Sequence, residues 1–174
     1  AAHDELIINQ QRHQLHAIDP TTGKTAWRYA FVEPSHRQNV KHDIYGRPRM
    51  PRHAWADAFD EPQPVVCPAG VLAVDTFHLG DRERVRSVLV CIDASSGTPR
   101  WRTDDDPELA TLRVTGNPVY TGGLVLFVGA THGDFPVYWI YALRAGNGSI
   151  VWKYRVAVAA LPTQCIGRGM LPAG

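Results

Sequence analysis

Three stretches of the chain repeat one pattern: "LHAIDPTTGKTAWRY" (Leu15–Tyr29), "LVCIDASSGTPRWRT" (Leu89–Thr103) and "IYALRAGNGSIVWKY" (Ile140–Tyr154). Aligned, they bring Gly23, Gly97 and Gly148 into register, and with them Trp27, Trp101 and Trp152, each four residues after its glycine. A unit written several times in one chain is a supersecondary module that buries its apolar surface by stacking on its neighbours. The copies are unequally spaced, so a constant unit is joined by loops of variable length.

Each copy reads as strands. "ELII" and "LHAI" precede the first glycine, "VLAV" and "VLVCI" the second, "LVLFV" and "VYWIYAL" the third. Such short runs, rich in β-branched and aromatic residues and bounded by Gly, Pro, Asn and Asp, are strand signals. They are apolar on both faces and do not alternate, which predicts small sheets stacked face to face with both faces covered.

The segments Asp19–Gly23, Asp93–Gly97 and Arg144–Gly148 are expected to be tight hairpin connections closed by a glycine of positive φ. Asp19 and Asp93 can accept hydrogen bonds from the amides of their own turns, whereas Arg144 cannot, and Gly146 and Asn147 are expected to offset that loss. In the strands that follow, Trp and, twice, a Tyr two residues on share one face, with Arg28, Arg102 or Lys153 on the other. Recurring tryptophans of this kind suit the packing between neighbouring units better than a single ligand platform.

Composition excludes some functions. The 174 residues carry a formal net charge of +1 and 44% apolar content, which fits a folded core and gives no electrostatic footprint for nucleic acid. No run approaches the length of a membrane-spanning helix, and no signal stretch is present at the start. Cys67, Cys91 and Cys165 lack the CxxC and CxxCH spacings of zinc ribbons and attached haem. Cys91, inside an apolar run, reads as a buried structural thiol.

The pattern Ala/Cys-Ile/Leu-Asp-x-x-x-Gly-x-x-x-Trp, at Ala17 to Trp27 and Cys91 to Trp101 and degraded at Ala142 to Trp152, resembles the tryptophan-docking repeat of the PQQ-like eight-bladed β-propellers. That superfamily includes quinoprotein alcohol dehydrogenases, the propeller lipoprotein of outer-membrane protein assembly, and exported proteins without known catalysis. The resemblance implies an all-β propeller of four-stranded antiparallel blades. About three blades are represented, in units near residues 4–30, 64–103 and 116–156, with residues 161–174 as the possible start of another. "PVVC" and "NPVYT" are the expected innermost strands of the second and third units, and the first unit lacks its own. Radial closure needs at least four blades, so an incomplete propeller is expected: a fragment, or a subunit completed by another chain.

Antiparallel order places the long segments on one rim: Phe31 to Pro64, Thr76 to Ser87, Thr103 to Gly116 and Ala130 to Pro136. Binding residues concentrate on such loops. The insertion 31–64 is the candidate partner-binding loop, through Arg47, Arg49, Arg52, Tyr45 and Trp55, with Arg37 and Lys41 before them and Asp57, Asp60 and Glu61 after. His36, His42 and His53, with Asp43 and Asp57, are suitable donor types for zinc or copper at a spacing that does not place them on one face. His16 reads as a partly covered strand residue.

A quinoprotein dehydrogenase implies PQQ above the central channel, a catalytic Asp, a calcium or lanthanide site and usually an adjacent-cysteine disulfide. This chain has no Cys-Cys pair. Asn117 and Asp134 lie in suitable places without a matching acidic set, so no catalytic, cofactor or metal residue is assigned. The sequence therefore points to a non-catalytic propeller acting as a protein-binding or assembly scaffold, exported or periplasmic by family habit. Its expected partners are other chains or the missing blades. The alternatives are part of a PQQ- and calcium-dependent dehydrogenase, and a propeller sensor domain of a signalling protein.

Overall fold

The computed structural model describes residues 6–11, 13–31, 63–79, 84–132 and 135–158. Its eleven strands form three antiparallel sheets. The first holds β1 (Ile7–Gln11), β2 (Gln14–Ile18) and β3 (Thr25–Ala30). The second holds β4 (Val65–Cys67), β5 (Gly70–Leu79), β6 (Arg84–Ile92) and β7 (Pro99–Arg102). The third holds β8 (Arg113–Thr121), β9 (Leu124–Ala130), β10 (Val137–Arg144) and β11 (Ile150–Val158). Within each sheet the strands pair in chain order, the meander of a propeller blade. The first sheet has three strands and the others four, with β4 and β8 in the innermost positions that the sequence assigned to "PVVC" and "NPVYT". Among the described residues the three sheets do not close into a ring.

The middle sheet explains why its strands are apolar on both faces. Successive side chains of a strand point to opposite faces, and here the two sets enter different cores. Val71, Ala73, Val90 and Ile92 pack with Leu15, Ala17, Trp27, Tyr29 and Phe31 of the first sheet. Leu72, Val74, Leu89, Cys91 and Trp101 pack with Val125, Phe127, Tyr141 and Leu143 of the third. Each fully buried Val or Leu contributes roughly 1.5–3 kcal/mol, so the stack is held by two such layers.

Each blade also carries a β-bulge at the same place. The register shifts between Ala17 and Ile18, between Cys91 and Ile92, and between Ala142 and Leu143, one pair before each hairpin. A bulge adds a residue to one strand and turns the chain locally. Trp27, Trp101 and Trp152 thereby face Ala17, Cys91 and Ala142 across the ladder.

The structure corrects two expected loops. The segment from Thr76 to Ser87 is mostly strand: β5 and β6 stay paired from Thr76↔Ser87 to Leu79↔Arg84, and the two hydroxyls at the start of this extension hydrogen-bond at 3.1 Å. Between Thr103 and Gly116 the chain makes two short 3-10 turns, Thr103–Asp105 and Leu109–Thr111, and then enters β8 at Arg113. Leu109 and Leu112 join the core between the second and third sheets, which ties this connection down.

Candidate functional site

The repeated motif builds the joint between blades, beginning with its turns. The Asp19 carboxylate accepts from the amides of Thr21 (2.8 Å) and Thr22 (3.3 Å) and from both hydroxyls. These bonds hold Asp19 at about 2, below its usual 3.8. Asp93 does the same with Ser95 and Ser96 and adds the Arg100 guanidinium, so its carboxyl also lies well below the usual range. In the third copy the main-chain bonds survive without the aspartate: Gly148 N donates to Arg144 O at 2.8 Å, as Gly97 N does to Asp93 O at 2.9 Å. Asn147 supplies the side-chain acceptor, taking the amide and hydroxyl of Ser149. The closing glycines have φ of 67°, 72° and 72°.

These turns receive the tryptophan of the preceding blade. Trp27 lies over Gly97, and its Nε1 donates to the Ala94 carbonyl at 2.8 Å. Trp101 lies over Gly148 and donates to the Ala145 carbonyl at the same distance. A Cβ on either glycine would come within 2.7 Å of an indole carbon, so a bare Cα is required for contact as well as for φ. The two indoles are 8% and 7% exposed. Trp152, the third of the set, is 42% exposed.

Polar bridges cross the joints too. Arg102 reaches from the second blade to the first, donating to the Tyr29 hydroxyl (2.7 Å) and the Phe31 carbonyl while Asp104 holds its guanidinium through two bonds. His13 Nδ1 lies 2.8 and 3.0 Å from the oxygens of buried Asp75, and Gln10 donates to the Val74 carbonyl. At the second joint Glu108 accepts from Lys153 and from the Tyr141 hydroxyl, which lowers its carboxyl. Burial, with Glu108 beside it, pushes the Tyr141 phenol up. The sequence shows a basic residue and, in the first and third copies, a Tyr on opposite faces of the Trp strand. What it does not show alone is that stacked blades bring the Arg of one onto the Tyr of the last.

Of the residues singled out in the sequence, Asp19, Gly23, Asp93, Gly97 and Gly148 lie in these turns and Trp27 and Trp101 at the joints, while Trp152 lies exposed on β11. The proposed loop residues Tyr45, Arg47, Arg49, Arg52 and Trp55 lie outside the described residues, as do His36, His42, His53, Asp43, Asp57, Asp134 and Cys165. His16 is half-buried on β2, opposite Asn9 and Arg28. Asn117 is exposed, and its Oδ1 accepts from the Gln63 amide at 3.0 Å.

With this geometry in place, the chain can be set beside known proteins. The family model described as outer membrane protein assembly factor BamB, a PQQ-like repeat, matches residues 1–163. The chain belongs to this family. Solved structures with the same fold include a europium-containing methanol dehydrogenase, with 16% identity, a TM-score of 0.53 and coverage of 86% of this chain and 22% of that one. A quinohaemoprotein alcohol dehydrogenase from Comamonas testosteroni shares 19% identity at a TM-score of 0.52, over 87% of this chain and 20% of that one. Another, from Pseudomonas putida HK5, shares 19% identity at 0.53, over 87% of this chain and 19% of that one. The chain thus spans about a fifth of the length of these proteins. No relative among curated proteins matches it.

The dehydrogenases that share the fold raise the question of a quinone and its cation. Among the described residues no three His, Cys, Asp or Glu side chains converge into a possible metal site. Asn117, the channel-side candidate, already uses its Oδ1 on Gln63. No helix among them is long and apolar enough to cross a membrane.

Proposed function

We propose that this chain is a non-catalytic PQQ-like propeller that serves as a protein-binding or assembly scaffold outside the cytoplasm. Its partner face is the rim that carries the insertion 31–64. The observation that carries the reading is the match of residues 1–163 to a family described by an assembly factor. Tight turns and close blade joints make a rigid support, on which long loops provide the variable binding surface. Tyr45, Trp55 and the arginines at 47, 49 and 52 combine the aromatic and guanidinium groups that dominate protein interfaces.

The dehydrogenase reading is favoured by the fold shared with quinoprotein enzymes. Mass spectrometry of native material, intact and then denatured, separates the two. Scaffold function predicts a chain without small-molecule cofactor that is held by partner subunits. Release of a quinone together with calcium or a lanthanide would overturn it. Deleting the insertion should leave the blades folded and abolish the complex, and an unchanged complex would remove the insertion as the docking site.

A further inference from the structure

The third copy of the hairpin turn differs from the other two in its chemistry. Asn147 precedes its closing glycine, where the first copy has Thr22 before Gly23 and the second Ser96 before Gly97. Asparagine followed by glycine is the pairing in which a side chain reacts most readily with its own main chain. The amide nitrogen of the following residue attacks the side-chain carbonyl carbon to close a succinimide ring, and glycine has no Cβ to obstruct the approach. Of the four asparagines in the chain, Asn9 precedes Gln10, Asn39 precedes β-branched Val40, and Asn117 precedes Pro118, whose nitrogen carries no proton to lose. Asn147 alone has the open neighbour.

The turn arms one half of that reaction and restrains the other. Asn147 is exposed, so water reaches its side-chain amide. The Ser149 hydroxyl donates to Asn147 Oδ1 at 2.9 Å, and the Ser149 amide does so at 3.2 Å. Donors on that oxygen stabilise the negative charge that forms there when Cγ is attacked. The nucleophile is held back. Gly148 N donates to Arg144 O at 2.8 Å, and the Trp101 indole lies 2.7 Å from the place a Cβ on Gly148 would take. Trp101 is itself 7% exposed and donates to the Ala145 carbonyl. To attack, Gly148 N must release Arg144, lose its proton and turn toward Cγ, which moves a peptide unit that the indole covers.

We propose that Asn147 is a deamidation site gated by the joint between the second and third blades. When the joint opens, Gly148 N gives its proton to hydroxide and bonds to Asn147 Cγ. The bond from Cγ to the side-chain nitrogen breaks, and that nitrogen leaves as ammonia with a proton from water. Water then opens the succinimide at either carbonyl, giving aspartate or isoaspartate with no change of oxidation state. Isoaspartate adds a methylene to the main chain of a turn whose length is set by the bonds of Arg144 with Gly148 and Ser149. The Ala145 carbonyl and Gly148 then lose the spacing that receives Trp101, so conversion loosens the joint that restrained it. Thr22 and Ser96 have no amide to lose, which confines the device to this joint. The inference does not rest on the scaffold reading.

The test is peptide mapping by mass spectrometry of the 174-residue chain incubated at mildly alkaline pH, folded and in denaturing urea. Conversion of amide to acid at Asn147 is read from the mass shift, and isoaspartate from its separate elution. The unfolded chain should convert, and the folded chain should convert more slowly by about tenfold or more, a ratio that reports the cost of opening. Equal rates would overturn the gate, and an Asn147 that stays intact in urea would overturn the site. Trp101→Ala should raise the folded rate by about tenfold or more, and an unchanged rate would remove the indole as the restraint. If circular dichroism shows that this variant does not fold, low urea on the unaltered chain replaces it. Conversion at Asn147 and hydrogen exchange at Gly148 should then accelerate together below the unfolding midpoint, and faster exchange without faster conversion refutes the coupling. Chain aged to isoaspartate should unfold at lower urea than fresh chain, whereas Asn147→Ser aged alongside should not shift; an unshifted isoaspartate chain would refute the loosening.

Discussion

Adding a methyl group at Gly97 and at Gly23 separates what the tryptophan contact contributes from what the turn demands. Both glycines have nearly the same φ, 72° and 67°, so alanine at either bears the left-handed backbone cost of about 1–2 kcal/mol. At Gly23 nothing else is touched. At Gly97 the new Cβ falls 2.7 Å from Cγ and Cδ2 of Trp27 and 2.8 Å from Cε3, and the indole cannot swing away without losing its bond to Ala94. Overpacking of a filled site costs about 1–3 kcal/mol, and the strained hydrogen bond about 1 more. Gly97→Ala should therefore destabilise by roughly 3–6 kcal/mol and Gly23→Ala by roughly 1–2. Gly148→Ala, beneath Trp101, should follow Gly97→Ala. The assay is urea unfolding followed by tryptophan fluorescence, at a dilution where the chain is monomeric, with the midpoint shift read at constant slope. Equal losses at Gly23 and Gly97, within about 0.5 kcal/mol, would refute the role of the indole in holding the blades.

The tryptophans should differ in the same sense. Trp101→Ala should lower unfolding free energy by about 3–5 kcal/mol, whereas Trp152→Ala in the monomer should cost under about 1 kcal/mol; similar losses in urea unfolding would contradict their difference in burial. Acid should loosen the turns. Asp19 and Asp93 have depressed values in the folded chain, so their contribution is complete above the ordinary carboxylate value of 3.8 and is lost as pH falls toward about 2. The thermal midpoint should thus be flat from neutral pH down to about 5 and fall below about 4, with a smaller fall in Asp93→Asn. A midpoint falling well above pH 5 would assign the sensitivity to other groups. Cys91 is buried and its thiol is pushed up to about 11, chiefly by burial, while Cys67 is half-buried. Iodoacetamide on the native chain should label Cys67 well before Cys91, and early labelling of Cys91 in a peptide map would show that its sheet opens.

Much of the architecture was legible because the repeat carries it. Gly and Trp in register mark turn and strand in each copy, and the apolar runs on both faces mark sheets covered on both sides. The readings that failed were local ones. Thr76 to Ser87 holds Gly80, Asp81 and several charges, which read as a loop, yet the pairing of β5 with β6 carries through to Leu79 and Arg84. Propensity is weaker there than the ladder that extends it. The bridges from His13 to Asp75 and from Arg102 to Tyr29 join residues far apart in sequence. They follow from the rotation of one blade on the next, which no periodicity within a strand encodes. The candidate joint was therefore half visible: its apolar members recur and its polar members do not.

The same asymmetry sets where the chain should open first. Val71 to Val74 and Val88 to Ile92 are buried on both faces by two different cores, so exposing their amides means breaking both joints. Among the described residues strand β11 pairs with β10 alone, and every residue from Val151 to Val158 is exposed. In a stack where each unit contacts only its neighbours, stability is roughly a sum over units and joints, and an end unit has one joint fewer. Native-state hydrogen exchange should therefore protect amides of β5 and β6 near the global unfolding limit and those of β11 least, with β10 between.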